Sequence, residues 1–304
     1  MNEFDIIKIF FAKQNLERRD VILGIGDDAA ITEIPEHHQL VITTDTLISG
    51  VHFPVPTAAF DIGFKSLAVN LSDLAAMGAT PAWFTLAISL PESNEKWLQE
   101  FCNGLFSLAN RYKTELIGGD LTRGPLSITI AAYGFVPKGL ALKRSTAKPN
   151  DLIYVTNSLG DAAFGLQSKD PYFLNRLNRP EPRIEIGEKL RSIATSAIDI
   201  SDGLAADLGH ILEASDVGAT VFVDDLPLSS ELTSALPKEK AIELALTGGD
   251  DYELCFTVPE QHTKKLNGPY TCIGNISEKK GLDLRYKNGK KYEGTIGGYN
   301  HFAK

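Results

Sequence analysis

The sequence predicts an α/β protein with mixed sheets, divided into two domains. The chain has 304 residues, of which 43% are hydrophobic, and a chain of this length forms two cores more readily than one. Strand patterns alternate with helical patterns in both halves, as in α/β domains. The segment 143–151 is polar, basic and contains proline, which is typical of a linker. We therefore predict domains over 1–148 and 149–304.

The first half is predicted to contain three helices and three strands. In chain order they cover 4–14 (helix), 40–44 (strand), 61–77 (helix), 97–112 (helix), 116–117 (strand) and 126–136 (strand). Helices follow from apolar side chains at helical spacing, and strands from β-branched or alternating runs. The second helix begins at Asp61 and ends before Gly78. Its Ser66, Asn70 and Asp73 are spaced so that they share one face.

The second half repeats this mixture of strands and helices. Strands are predicted over 152–156, 219–223, 252–258 and 270–276, and helices over 162–166, 185–194 and 203–214. The segment 168–183 is rich in Pro, Arg and Asn, and we predict a loop there. In the last helix Leu204, Leu208, Ile211 and Leu212 form an apolar stripe that predicts a core contact.

Composition excludes several classes of protein. The net charge is −9, from 39 acidic and 30 basic residues, and the absence of a Lys/Arg run argues against a nucleic-acid partner. No apolar run approaches the ~20 residues of a membrane span. The first residues are acidic where a signal peptide needs bases, so we expect a cytoplasmic protein. The three cysteines have neither zinc nor thioredoxin spacing.

Aspartates next to glycine, serine or threonine recur along the whole chain. They are found in Gly26-Asp27-Asp28, Thr43-Thr44-Asp45, Ser72-Asp73, Gly118-Gly119-Asp120, Asp199-Ile200-Ser201-Asp202-Gly203 and Gly248-Gly249-Asp250-Asp251. Carboxylate oxygens are suited to Mg²⁺, which usually shares its ligands with phosphate. The sequences of a P-loop and of a protein kinase are absent. The pattern predicts an enzyme that holds a nucleotide through metal ions.

Individual motifs leave alternatives open. Asp27 and Asp28 fit a metal site and an ordinary β-turn equally well. Asp73 lies on a largely apolar helix, where a carboxylate is unfavourable unless it is paired or bound to metal, so a functional role is favoured. Gly118-Gly119-Asp120 is typical of a loop whose backbone approaches phosphate. Arg144 fits either a phosphate contact or a solvated linker.

Taken in order, these motifs resemble the thiamine-monophosphate kinase family over nearly the whole length. The resemblance rests on Gly24-Ile25-Gly26-Asp27-Asp28, Thr44-Asp45-Thr46-Leu47, Gly50-Val51-His52-Phe53, Asn70-Leu71-Ser72-Asp73-Leu74, Ile117-Gly118-Gly119-Asp120, Arg144-Ser145, Asp199-Ile200-Ser201-Asp202-Gly203, Gly248-Gly249-Asp250-Asp251-Tyr252-Glu253 and Gly298-Tyr299-Asn300-His301-Phe302. It implies the two-domain fold of aminoimidazole ribonucleotide synthetase-like enzymes, with the N-terminal domains pairing in a homodimer. It also implies ATP-dependent phosphorylation of thiamine monophosphate to thiamine diphosphate, assisted by several Mg²⁺ ions and without a covalent intermediate or a general base.

The resemblance also implies residue roles. ATP would contact Gly119, Asp120, Arg144 and Ser201, and thiamine monophosphate would contact His52, Asp250 and Tyr299. Metal ligands or their near neighbours would be Asp28, Thr43, Thr44, Asp45, Asp73, Asp120, Asp199 and Asp202. Two positions depart from the family pattern. Asp250 replaces a glutamate and is one methylene shorter, and Tyr299 stands where relatives carry tryptophan.

Two other functions are compatible with the motifs. One is an enzyme of the same fold that forms an acyl-phosphate or phosphoramidate-type intermediate on a different substrate. The other is a non-catalytic regulator that binds a divalent metal or a nucleotide. The match through Asp250 and Tyr299 favours the kinase, and turnover of ATP with thiamine monophosphate separates the three.

Overall fold

The computed structural model describes residues 2–12, 14 and 18–298. The chain divides into two compact units, one formed by 1–74 and 79–139 and the other by 75–78 and 140–304. The segment 140–148, which the sequence assigns to the first domain, therefore belongs to the second unit. Its backbone is held there by Ser215, whose Oγ donates a hydrogen bond to Arg144 O at 2.7 Å and accepts one from Ala147 N at 3.1 Å.

The first unit is built around a four-stranded sheet. Its elements are α1 (Glu3–Ile6), a π-helical turn (Ile7–Phe11), β1 (Val21–Leu23), β2 (Ile31–Thr32), β3 (His38–Ile48), α2 (Ala59–Ala76), β4 (Thr80–Leu90), α3 (Glu95–Arg111), β5 (Glu115–Arg123) and β6 (Ser127–Pro137). The strand order is β3-β6-β4-β5. Strands β3, β6 and β4 are antiparallel neighbours, β4 and β5 run parallel, and β1 and β2 form a separate pair.

Strand β4 lies inside the sheet but was not predicted from the sequence. Pro81 follows its first residue and cannot donate a ladder hydrogen bond, which normally confines proline to strand starts and bulges. The structure contains both features, since β4 begins at Thr80 and its register against β6 shifts between Pro81 and Trp83. Proline at this position therefore marks the strand start as well as the helix end.

The N-terminal helix differs in phase from the sequence prediction. Its apolar face was predicted to contain Phe4, Ile7, Phe10 and Phe11. In the structure Ile6, Phe10 and Phe11 are buried, whereas Phe4 is 78% exposed. The π-helical turn accounts for the difference, because it closes i→i+5 hydrogen bonds and so shifts which side chains face inward.

Helices α2 and α3 pack with their backbones in contact at two glycines. A Cβ on Gly63 would lie 2.0 Å from Phe101 O, and one on Gly104 would lie 1.9 Å from Phe60 O. No other residue fits at these two positions. The close crossing fixes α2, which carries Asp73.

The second unit contains a six-stranded sheet with helices. Its elements are a 3₁₀ turn (Arg144–Thr146), β7 (Leu152–Thr156), α4 (Asp161–Gly165), α5 (Pro171–Asn178), α6 (Ile184–Leu190), β8 (Ser196–Asp199), α7 (Leu204–Ser215), β9 (Gly218–Phe222), a 3₁₀ turn (Val223–Asp225), α8 (Ser230–Ala235), α9 (Lys238–Thr247), β10 (Leu254–Val258), a 3₁₀ turn (Glu260–Lys265), β11 (Tyr270–Ser277) and β12 (Gly281–Arg285). The strand order is β12-β9-β11-β7-β10-β8, with β12 and β9 parallel and the other neighbours antiparallel. The predicted stripe of α7 is buried in its core.

The prediction of a loop over 168–183 was wrong, because helix α5 lies within it. Asp170 caps this helix by accepting a hydrogen bond from Tyr172 N at 2.8 Å, and Pro171 occupies the first turn. Both preferences are known for helix starts. Phe173 and Leu177 are four residues apart and both buried, so a short apolar face holds the helix in place. Within the described ranges we find no helix whose length and apolar character would let it span a membrane.

Candidate functional site

Strand β3 and helix α2 bring together four of the polar residues of the first unit. Thr43 Oγ1 donates a hydrogen bond to Asp73 Oδ2. Asp45 N donates to Asn70 Oδ1 at 3.2 Å, while Asn70 Nδ2 donates to Ser66 O at 3.1 Å within the helix. The shared face predicted for Asn70 and Asp73 is confirmed, and it is directed at the end of β3 that carries Asp45.

Thr44 lies on the opposite face of β3 from Thr43 and Asp45. Side chains alternate along a strand, and here Ile42, Thr44 and Thr46 are exposed while Thr43 and Asp45 are half-buried. The side chain of Thr44 therefore does not accompany the other two. Its assignment as a metal ligand or near neighbour stays a prediction.

His52 is fixed by the strand that precedes it. Its Nδ1 accepts a hydrogen bond from Ile48 N at 3.0 Å. A ring nitrogen that accepts carries no proton, so this contact assigns the neutral tautomer with hydrogen on Nε2. The ring proton is thereby placed on Nε2.

A cavity of about 580 Å³ brings the first acidic loop next to strand β5. Its lining includes Asp28 from the loop 24–30 and Gly119 and Asp120 from β5, and the apolar side chains of Ile7 and Phe11 face the same space. Ligand cavities of ~300–1,000 Å³ commonly combine an apolar lining with a few polar groups. This cavity therefore has the size for a nucleotide and joins three predicted site residues, while its carboxylates would need a bound cation between them and a phosphate.

Gly119 belongs to a strand and not to the loop predicted from the sequence. Strand β5 continues through Gly118 and Asp120, and its register against β4 shifts between Phe84 and Thr85. Gly119 has φ +152°, and a Cβ there would lie 1.8 Å from Leu86 O. Glycine is needed here because β4 approaches so closely, and this places Asp120 at the cavity.

We expect Gly119→Ala to lower the unfolding free energy by about 1–3 kcal/mol, the usual effect of overpacking, and to reduce ATP binding by displacing Asp120. Gly118→Ala is the matched control for stability, since a Cβ at Gly118 meets nothing within 4 Å. Urea unfolding and ATP titration of both variants measure the two effects. Equal stability of the two variants would contradict the close approach.

In the second unit, hydrogen bonds join two loops that both carry predicted site residues. Asp250 N donates to Ser201 O at 2.9 Å, and Tyr252 N donates to Ile200 O at 2.8 Å. Ile200 N in turn donates to Glu253 O at 2.8 Å. The loop 199–203, with the predicted metal and ATP contacts, therefore lies beside the loop 248–252, with the predicted substrate contact.

Asp207 supports the first of these loops and was missed in the sequence. Its Oδ2 accepts hydrogen bonds from Ser201 N and Asp202 N, both at 3.0 Å. Burial raises the pKa of Asp207 to about 7, and the charge of Asp202 adds to this, while the two backbone bonds and the charge of Arg144 act in the opposite direction. The sequence did contain a signal for Asp207, because it is an acidic residue directly before Leu208, within the helix whose apolar stripe was predicted to face the core.

The other predicted residues of this unit occupy different surroundings. Asp199 ends β8 and is 3% exposed, whereas Arg144 is exposed on its 3₁₀ turn. Asp202 and Asp250 are half-buried. Tyr299 lies outside the described residues.

The donor groups fit magnesium, although they do not form a ready-made cluster. Among the residues that the structure describes, no three His, Cys, Asp or Glu side chains are grouped closely enough to hold a metal ion. The predicted ligands offer only carboxylate and hydroxyl oxygens. Mg²⁺ commonly binds through one or two carboxylates and completes its shell with water and substrate phosphates. The predicted ligands are thus suited to Mg²⁺ ions that bind together with the phosphates of a nucleotide.

Comparison with known proteins defines first the class and then the family. Residues 26–136 match the family model of AIR synthase related protein, N-terminal domain, which agrees with the mixed sheets and confirms the predicted fold class. Thiamine-monophosphate kinase of Escherichia coli (strain K12) is 49% identical over 320 residues, covering 99% of this chain and 98% of that protein. The chain belongs to the thiamine-monophosphate kinase family.

Solved structures agree with this placement. Thiamine-monophosphate kinase from Stenotrophomonas maltophilia K279a has a TM-score of 0.84 and 48% sequence identity, covering 91% of this chain and 93% of that one. AaThiL complexed with AMPPCP and TMP has a TM-score of 0.80 and 33% identity, covering 91% and 92%. The resemblance drawn from the motifs is therefore confirmed at the level of fold and family.

Proposed function

We propose that this chain transfers the γ-phosphoryl group of ATP to thiamine monophosphate, forming thiamine diphosphate and ADP. The observation that carries the proposal is the full-length match to thiamine-monophosphate kinases, together with the carboxylate motifs in their expected order. The related structure with AMPPCP and TMP supports the same pair of ligands, because AMPPCP is an analogue of ATP.

The proposed residue roles follow the family pattern. ATP contacts are assigned to Gly119, Asp120, Arg144 and Ser201. Contacts to thiamine monophosphate are assigned to His52, Asp250 and Tyr299. Mg²⁺ would be held by Asp28, Thr43, Thr44, Asp45, Asp73, Asp120, Asp199 and Asp202. Bound Mg²⁺ would supply neutralisation and alignment of the phosphate oxygens.

The chemistry needs positioning more than proton transfer. A terminal oxygen of the thiamine monophosphate attacks the γ-phosphorus, a new P–O bond forms, and the bond to the ADP oxygen breaks in line with it. A phosphate monoester has a second pKa of ~6, so the attacking oxygen requires no general base near neutral pH. The transition state is loose and its charge is spread over the transferred group.

The chain's own donors match this demand. His52 carries its ring proton on Nε2, since its Nδ1 accepts from Ile48 N, and an N–H of this kind is suited to a phosphate oxygen. Arg144 offers a planar guanidinium, which pairs with phosphate through two parallel hydrogen bonds. We assign these two groups to the phosphates of the two substrates. We propose no covalent intermediate, and the cytoplasmic location stays a prediction.

We also propose that the first unit forms a homodimer through the outer face of β3. This strand lies at the edge of its sheet, and Ile42 and Ile48 are 59% and 41% exposed on it. An edge strand that exposes large apolar side chains favours association. We expect Ile42→Lys to shift the protein from dimer to monomer in analytical ultracentrifugation, with Leu140→Lys, also an exposed apolar position, as control. A wild-type monomer at micromolar concentration would contradict the proposal.

Purified protein with ATP, Mg²⁺ and thiamine monophosphate tests the reaction directly. We expect thiamine diphosphate and ADP in equal amounts by chromatography, no product from free thiamine, and loss of both products when Mg²⁺ is removed. Suppose instead that ADP forms with the substrate of another enzyme of the same fold and none forms with thiamine monophosphate. That result would favour the alternative enzyme. ATP binding without turnover would favour the regulator.

A further inference from the structure

The loop that carries Asp250 has an uncommon backbone. Asp250 has φ +69° and Tyr252 has φ +49°, and non-glycine residues rarely adopt this left-handed region. Such backbone persists only where the surrounding structure determines it. The loop must therefore be held by contacts on the side away from its half-exposed Asp250.

Glu253 supplies one of these contacts. Its side chain is fully buried, and Arg183 donates to both oxygens, from Nε to Oε2 at 2.6 Å and from Nη2 to Oε1 at 2.5 Å. Arg176 Nη2 adds a hydrogen bond to Oε1 at 3.1 Å. Thr156 Oγ1 donates to Oε2 at 2.5 Å, and Asn157 Nδ2 donates to Oε1 at 3.2 Å. All five contacts converge on one carboxylate at the end of the loop.

Asp251 supplies the second contact from inside the loop. Its Oδ2 accepts a hydrogen bond from Gly160 N at 2.7 Å, and its Oδ1 accepts one from Ala162 N at 3.4 Å, at the start of α4. The side chain is 1% exposed. The side chains of Asp251 and Glu253, on either side of Tyr252, are thus both held by buried hydrogen bonds. The backbone N–H of Asp250 donates to Ser201 O.

Stability alone does not explain such a cluster. Buried ion pairs are poor sources of net stability, because desolvation offsets much of their attraction. A two-bond contact between guanidinium and carboxylate does fix distance and angle. The arginines therefore fix the position of the Glu253 carboxylate, and through it the conformation of the 250–252 backbone.

We infer that Arg183, with Arg176, is a positioning residue that acts through Glu253 to present Asp250 to thiamine monophosphate. The inference rests on the proposed contact between Asp250 and this substrate. Neither arginine is one of the assigned ligand contacts. Both come from the segment 168–183, which links the end of α5 and the start of α6 to the substrate loop.

Arg183→Lys tests this role, because lysine keeps the charge but cannot make the two-bond contact. We expect amide hydrogen exchange at Asp250 and Tyr252 to become about tenfold faster or more, as for the loss of one charge-assisted hydrogen bond. The KM for thiamine monophosphate should rise by a similar factor, with little change in the KM for ATP. Arg285→Lys is the matched control, since Arg285 lies on β12 and pairs with Asp283 at the surface.

The possible outcomes separate the inference from the function on which it rests. If Arg183→Lys leaves amide hydrogen exchange at Asp250 and Tyr252 unchanged, the inference is overturned. It is also overturned if the KM for thiamine monophosphate, the KM for ATP and the melting temperature all change together. Faster exchange with an unchanged KM for thiamine monophosphate would overturn the substrate contact of Asp250 and leave the kinase reaction standing. If Arg183→Lys fails to fold, Arg176→Lys, which loses only one bond to Glu253, is measured in the same way and decides the question.

Discussion

Asparagine in place of Asp45 or Asp73 is expected to lower the rate of thiamine diphosphate formation by about 100-fold or more, since metal-assisted charge stabilisation is worth several kcal/mol. Asparagine keeps the shape and one oxygen, so the contact from Thr43 Oγ1 to residue 73 can persist. Only the charge that a cation requires is lost. Steady-state kinetics over a range of Mg²⁺ concentrations measure the effect.

The control and a second readout make this prediction specific. Asp216→Asn replaces an exposed aspartate at φ +58°, a conformation that asparagine tolerates, and should leave the rate unchanged. Asp73→Asn should not lower the melting temperature without Mg²⁺, because asparagine keeps an acceptor for Thr43 Oγ1 and removes the cost of a partly buried carboxylate. A rate near that of the wild type with ordinary Mg²⁺ dependence would refute the assignment of Asp45 and Asp73.

Local patterns were sufficient to predict most of the fold. Helix α2 was predicted within two residues because Asp61 and Gly78 mark its ends, and strand β7 was predicted over its full extent. Strand β4 was missed because its proline is tolerated only through a bulge that depends on β6. Helix α5 was missed because its short apolar face gains its stability from burial against the rest of the second unit.

The family was predictable because its motifs are a matter of residue type and order, whereas the roles of the individual site residues stay predictions. The aspartate motifs indicated phosphate and metal chemistry without any knowledge of distances. The supporting residues were not predictable in the same way. Arg183 and Glu253 act through a contact between segments 70 residues apart in the chain, and a single sequence contains no signal for such a pair.

The contribution of Asp207 and Asp251 to the unfolding free energy of the metal-free protein is expected to fall as the pH rises from about 4 to about 8. Burial raises the pKa of Asp207 to about 7 and that of Asp251 to about 8, whereas an aspartate in an unfolded chain titrates near ~3.9. Between these values the folded protein keeps protons that the unfolded chain has released. The stabilisation is therefore complete below about pH 4 and is lost as the pH rises through the folded-state pKa values.

Asp207→Asn isolates one of the two groups, because asparagine is neutral at every pH and still offers an oxygen to Ser201 N and Asp202 N. Urea unfolding at pH 4, 6 and 8 should show equal stability of variant and wild type at pH 4. At pH 8 the variant should be more stable, since its side chain need not be charged beside Asp202, even though the nearby charge of Arg144 favours the wild-type carboxylate. A variant with the same slope of stability against pH as the wild type would show that Asp207 is already ionised in the folded protein. Its two backbone hydrogen bonds and Arg144 would then outweigh its burial.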